Sequence, residues 1–132
     1  MHPIETTERV AQGVRQALEQ SASRDGEALR IAFGFVAHFD HAHAEERVRL
    51  VERRPPSTGD ARYDALLAAL VEHLCAKTGT PIPAWVEDPE RFIEPWWFVS
   101  GLSRLHASAL VQSPISFARR GVFICDGALA CV

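Results

Sequence analysis

The segment from Asp60 to Lys77 carries the clearest helical pattern of this chain. Its large apolar residues recur at intervals of three and four, the spacing that places side chains on one face of an α-helix. Those residues are Tyr63, Leu66, Leu67, Leu70, Val71 and Leu74. Asp60 is typical of a helix N-terminus, and Gly79 is typical of a helix C-terminus. We therefore predict a central amphipathic helix at residues 60–77, around which the other elements pack.

Helical patterns also dominate the other segments. Thr6 or Thr7 suits the cap of a first helix, residues 102–111 have helical spacing, and Ser113-Pro114 is typical of a helix start. The apolar run at residues 122–125 predicts a short extended segment. We therefore expect an all-α protein, a compact bundle of five to seven helices.

The segment at residues 27–40 fits two structures. Leu29, Phe33 and Val36 have helical spacing, whereas Leu29, Ile31 and Phe33 also alternate as in a strand. A length of about fourteen residues is more typical of a helix than of a strand. We predict a helix and keep the strand as the alternative.

Two adjacent prolines interrupt the helical patterns at residues 54–59. A residue that precedes proline avoids the helical backbone conformation, so this stretch predicts a hinge. It separates an N-terminal helical subregion, residues 1–54, from a tryptophan-containing unit, residues 60–132. At 132 residues the expectation is a single domain that contains both subregions.

The composition narrows the functional classes. The formal net charge is −3, with 14 basic and 17 acidic residues, which disfavours a protein that binds nucleic acid by itself. Three cysteines do not make a disulfide framework, which favours a reducing compartment. No apolar run has the length of a membrane span, and the first residues are polar. We therefore expect a cytoplasmic protein without a membrane partner.

The histidine-rich stretch that begins at His38 is the one cluster that suggests chemistry. His38, His41 and His43 could bind a metal ion, but zinc needs three or four converging ligands, and these candidates are all local. A solvated, polar helix end is the interpretation we prefer. Cys75 is read as a packing residue, because His73, two positions away, lies on another side of the helix. We expect no cofactor, no metal and no enzymatic activity.

The acidic residues near the tryptophans allow a second chemical interpretation. Glu87, Asp88, Glu90 and Glu94 could supply a carboxylate pair for acid–base catalysis. Stabilisation of a short helix that begins at Asp88-Pro89 is the interpretation we prefer, because acidic groups favour a helix N-terminus.

The three tryptophans lie within thirteen residues and suggest a contact surface. Tryptophan is enriched at the centres of protein interfaces. Trp96 and Trp97 are adjacent, so on regular structure both cannot face the interior. The candidate partner-binding residues are Trp96, Trp97, Phe98, Arg119 and Arg120.

Several motifs of the second half resemble a family of small actinobacterial proteins that look like antitoxins of type II toxin–antitoxin pairs. The motifs are Pro55 to Leu74, Pro83-Ala84-Trp85, Pro89 to Phe92, Trp96-Trp97-Phe98, Ala109-Leu110-Val111, Ser113-Pro114 and Phe117 to Ile124. The resemblance covers about residues 55–125. Family members occur alone or behind a helix-turn-helix module, and some pair with a nucleotidyltransferase toxin.

The resemblance implies a protein-binding module that neutralises or regulates a partner, such as a nucleotidyltransferase toxin. Residues 1–54 depart from the fused members, because they contain no convincing helix-turn-helix. Two alternatives stay open: a DNA-binding subunit of a transcriptional regulator, and a small metal-binding protein or enzyme that uses the histidine cluster. The sequence also leaves open whether the protein forms a homodimer.

Overall fold

The computed structural model describes residues 6–20, 24–94, 96–99 and 113–124. Within these ranges the protein is mostly helical, with five α-helices and one pair of two-residue strands. The elements are α1 Thr7–Gln20, α2 Arg24–His41, α3 Ala44–Val51, α4 Ala61–Thr78, the 3₁₀ turns Ala84–Glu87 and Pro89–Arg91, β1 Trp97–Phe98, α5 Ile115–Ala118 and β2 Val122–Phe123. The predictions for residues 102–111 and for the end of the chain lie outside the described residues.

Helix α4 confirms the predicted central helix, with the expected ends. The Asp60 carboxylate accepts a hydrogen bond from the backbone N–H of Arg62 at 2.9 Å, and Gly79 adopts a left-handed backbone with φ of 72°. Burial differs from the prediction, because every residue from Tyr63 to Val71 is buried rather than one face alone. Small residues at positions 65, 68 and 69 let neighbouring elements approach the helix on its other sides.

The ambiguous segment at residues 27–40 is helical, as predicted from its length. Helix α2 buries Ala28, Ala32, Phe35, Val36 and Phe39, which recur at helical spacing. Helices α1 and α2 pack against each other and against α4. One apolar cluster includes residues from both predicted subregions.

The predicted hinge at residues 54–59 is tied to the elements on both sides. The Asp64 carboxylate of α4 accepts hydrogen bonds from the backbone N–H of Thr58 and from the Ser57 hydroxyl, both at 2.7 Å. The buried Arg91 guanidinium donates to the backbone oxygen of Pro55 at 3.1 Å. These bonds hold an irregular connection in one conformation.

The strand prediction is confirmed at Val122–Phe123 and extended by a partner that the sequence did not reveal. Trp97 pairs with Val122 and Phe98 with Phe123, in parallel. The short helix predicted to begin at Asp88-Pro89 is a single 3₁₀ turn, Pro89–Arg91.

Replacing Gly79 with alanine is expected to lower the free energy of unfolding by about 1 kcal/mol, because a side chain strains the left-handed backbone. An added Cβ would meet nothing within 4 Å, so the loss reports the backbone alone. Gly34→Ala is the matched control, since Gly34 lies inside α2 with equal open space and no positive φ. There alanine should stabilise by up to about 1 kcal/mol. Urea denaturation measures both, and equal signs would contradict the explanation.

Candidate protein-binding site

The strand pair brings the tryptophan segment against residues 119–124. The Trp97 N–H donates to the Gly121 oxygen at 2.8 Å, and the Val99 N–H donates to the Phe123 oxygen at 3.0 Å. Two segments that lie far apart in the sequence therefore form one surface. The structure thus brings together the residues that the sequence grouped as candidates.

The adjacent tryptophans point to different environments, as expected. Trp96 is 60% exposed, and its ring meets the ring of Phe123 edge-on at 5.0 Å between centroids. Trp97 is half-buried against Tyr63, with ring centroids 5.0 Å apart. The Phe98 ring stacks against the Phe123 ring, with centroids 5.2 Å apart. Trp96 is thus the tryptophan that is available for contact.

A groove of about 410 Å³ lies beside Trp96. Its lining consists of Phe92, Ile93, Glu94, Trp96, Ala118, Arg119 and Gly121. Gly121 adopts a φ of +81°, and a Cβ there would lie 2.6 Å from the backbone oxygen of Ile93. Glycine is therefore required where the chain turns into β2.

The two adjacent arginines have different surroundings. The Arg119 side chain is 33% exposed and lies 2.7 Å from both Glu72 and Glu87. Arg120 is buried, pairs with Glu72, and donates to the backbone oxygen of Val86 at 2.8 Å. Arg119 therefore lies at the groove, whereas Arg120 lies in the interior and connects α4 to the first 3₁₀ turn. Partner contact by the five candidate residues stays a prediction.

The ion pair between Arg119 and Glu87 shifts the pKa values of both groups. The hydrogen bond from Arg119 lowers the pKa of the Glu87 carboxyl, and the same bond raises the pKa of the Arg119 guanidinium. Both effects favour the charged forms, so the pair stays ionised at neutral pH. The acidic residues of this region mostly serve as arginine partners: Asp88 and Glu90 lie 2.8 Å and 2.6 Å from Arg54.

The three histidines of the predicted cluster lie at the end of α2 and directly before α3. His38 and His41 lie in the last turn of α2, and His43 precedes α3, where its N–H donates to Glu46 at 3.3 Å. In the described part of the chain, no three histidine, cysteine, aspartate or glutamate side chains are placed to hold a metal ion. The alternative based on these histidines therefore has no geometric support there.

The Cys75 thiol is a packing group, as predicted. It is fully buried, and burial raises its pKa to about 11, so it is not a ready nucleophile. Burial lowers the pKa of His73, with a smaller effect from Lys77, and its ring lies 5.9 Å from that of Phe117. Cys125 and Cys131 lie outside the described residues.

Sequence reasoning missed three residues that shape this site. Glu72 binds both arginines, Phe92 forms part of the groove, and Gly121 makes its turn possible. Glu72 carried a detectable signal, because it directly follows the long apolar run of α4. Nothing in the sequence paired it with residues more than forty positions away.

Comparisons of the chain with protein-family models, with curated proteins and with solved structures found no match. Among the described helices, none has the length and apolar character required to cross a membrane.

Proposed function

We propose that this protein is a protein-binding module that neutralises or regulates a partner protein, in the manner of an antitoxin. The observation that carries the proposal is the exposed Trp96 at a groove on a compact scaffold. An exposed tryptophan beside a concavity is typical of the residues that dominate protein interfaces. The resemblance of residues 55–125 adds the partner class, a toxin such as a nucleotidyltransferase.

The surroundings of Trp96 support a preorganised contact. Backbone hydrogen bonds join β1, which directly follows Trp96, to β2, and Phe123 lies against the Trp96 ring. A Cβ added at Gly121 would lie 3.3 Å from that ring. A side chain that is already held loses little entropy on binding, which raises affinity for a given contact area. Masking a partner by contact also agrees with a groove whose described lining contains no serine, threonine or cysteine.

The proposal includes the finer features of the architecture and location. The whole chain is a compact bundle of five to seven helices. It acts in the cytoplasm, and its partner binds at Trp96, Trp97, Phe98 and Arg119. Arg120 supports that surface from below.

Trp96→Ala is expected to weaken partner binding by about 2 kcal/mol or more, roughly 30-fold, because tryptophan anchors contribute energies of this size. The partner is sought first among proteins captured from the native host and among products of the adjacent gene. Isothermal titration calorimetry then compares the wild type with the variant. Ile115→Ala is the matched control, since Ile115 is 76% exposed but does not line the groove.

A folded Trp96→Ala protein with unchanged partner affinity would remove the proposed interface. A DNA-binding subunit predicts a different behaviour: the protein would be retained on heparin, and its binding to DNA would weaken steeply with salt. Observing both on the isolated protein would replace the proposed function by that alternative.

A further inference from the structure

One tryptophan of this protein is part of a three-component arrangement of ring, arginine and carboxylate. The Arg62 guanidinium lies 5.1 Å from the centroid of the Trp97 ring. The same guanidinium lies 2.9 Å from the Asp60 carboxylate. A cation over an indole ring is attracted by the negative charge of its face, and tryptophan is the strongest of the aromatic side chains in this respect.

A second tryptophan repeats the arrangement in the interior. Arg91 lies 4.8 Å from the centroid of the Trp85 ring, and its Nε atom lies 3.8 Å from the Asp88 carboxylate. These two sites use different helices and turns, so they arise from separate parts of the sequence. The same chemistry is therefore present twice, each time with an arginine as the central group.

At Trp96 the ring and a carboxylate are present, but the arginine is missing. Across the described ranges no cation lies over its ring, although the ring is 60% exposed. Glu94 lines the same groove and has no ion pair among the described residues. Arg119 also lines the groove, but Glu72 and Glu87 already hold it at 2.7 Å each.

The charges around the groove favour a cation. Three carboxylates, those of Glu72, Glu87 and Glu94, are opposed by the two guanidiniums of Arg119 and Arg120. One negative charge is left in excess, at the carboxylate that has no partner. A positive side chain that enters the groove would restore the balance.

We infer that the groove binds an arginine side chain of the partner protein, whose guanidinium stacks on Trp96 and pairs with Glu94. The inference rests on the proposed function and specifies what the partner presents. Arginine fits better than lysine, because its planar guanidinium stacks on a ring and pairs with a carboxylate at the same time. The groove volume of about 410 Å³ is ample for one such side chain.

Peptide titration tests the inference without knowledge of the partner. Acetyl-Ala-Arg-Ala-amide is added to the ¹⁵N-labelled full chain, and the indole N–H signal of Trp96 is followed by NMR after assignment with Trp96→Phe. We expect a saturable shift with weak affinity. The citrulline peptide has nearly the same shape without the charge. It should bind about threefold more weakly, since cation–π attraction at exposed sites has about this effect.

Two carboxylate variants locate the second contact. Glu94→Gln should lower the affinity for the arginine peptide by about threefold, as expected for loss of one exposed ion pair. Glu90→Gln is the matched control, because Glu90 is also exposed but already pairs with Arg54. Equal affinity for the arginine and citrulline peptides, equal affinity for the corresponding lysine peptide, or no effect of Glu94→Gln would overturn the inference.

The outcomes separate this inference from the proposed function. If Trp96→Ala loses partner affinity but the arginine peptide causes no shift, the proposed function is supported and the inference of a bound arginine is refuted. If the arginine peptide shifts the Trp96 signal but Trp96→Ala keeps full partner affinity, the proposed interface is refuted instead. A change from dimer to monomer on Trp96→Ala would assign the arginine to a second copy of this chain and overturn the partner proposed here.

Discussion

Arg120→Met is expected to lower the free energy of unfolding by about 3 kcal/mol, because it removes one member of a buried ion pair and takes the arginine donor away from two backbone oxygens and one Glu72 oxygen. The Arg120 side chain is fully buried and pairs with Glu72. It also donates to the backbone oxygens of Ser116 at 2.7 Å and Val86 at 2.8 Å. Methionine fills a similar volume, so the loss reports the missing charge and hydrogen bonds. Urea denaturation followed by circular dichroism measures it.

The neighbouring arginine provides the control. Arg119 pairs with the same Glu72 carboxylate, but its side chain is 33% exposed and water can replace its contacts. Arg119→Met should therefore cost less than about 1 kcal/mol. Equal losses at the two positions would show that burial does not set the difference. A double variant, Arg120→Met with Glu72→Leu, should recover part of the loss, because it removes both buried charges.

Asp64→Ala is expected to destabilise the protein by about 3 kcal/mol, because hydrogen bonds to a charged group contribute about 1.5–3 kcal/mol each and are not additive. One carboxylate oxygen accepts from the Thr58 N–H at 2.7 Å and from the Thr58 hydroxyl at 2.8 Å. The other accepts from the Ser57 hydroxyl at 2.7 Å. Loss of the carboxylate should also free the connection at residues 54–59, so limited proteolysis there should become faster.

Asp60→Ala tests whether the effect belongs to the connection or to α4. Asp60 caps the same helix, and loss of such a cap costs about 1 kcal/mol. Asp64→Asn retains one acceptor oxygen, so its loss of stability should lie between those of Asp64→Ala and Asp60→Ala. A cleavage rate that is unchanged in Asp64→Ala would mean that other contacts, such as that of Arg91 with Pro55, hold the connection without Asp64.

Local patterns were sufficient for much of the helical structure. The ends of α4 follow from Asp60 and Gly79, whose effects act within one turn of the helix. The length of an almost continuously apolar segment was sufficient to predict α2. The run at Val122 and Phe123 likewise predicted extended backbone. Each of these features depends on residues that are near one another in the chain.

The candidate site depended on contacts between distant segments. Trp96 and Trp97 are chemically identical neighbours, and their different exposure arises because Trp97 packs on Tyr63, which belongs to α4. Arg119 and Arg120 are likewise identical in the sequence. They separate into a surface group and an interior group only when α5 packs against α4, which brings Glu72 beside both.

The division between the two kinds of feature has a physical origin. Caps, turns and periodicity involve atoms within a few residues, so the covalent chain constrains their geometry in advance. Burial and charge pairing depend on which elements meet, and that choice is made by the packing of the whole core. The helices of this protein could therefore be predicted from residue order, whereas the exposed Trp96, its groove and the excess carboxylate emerged from the folded arrangement.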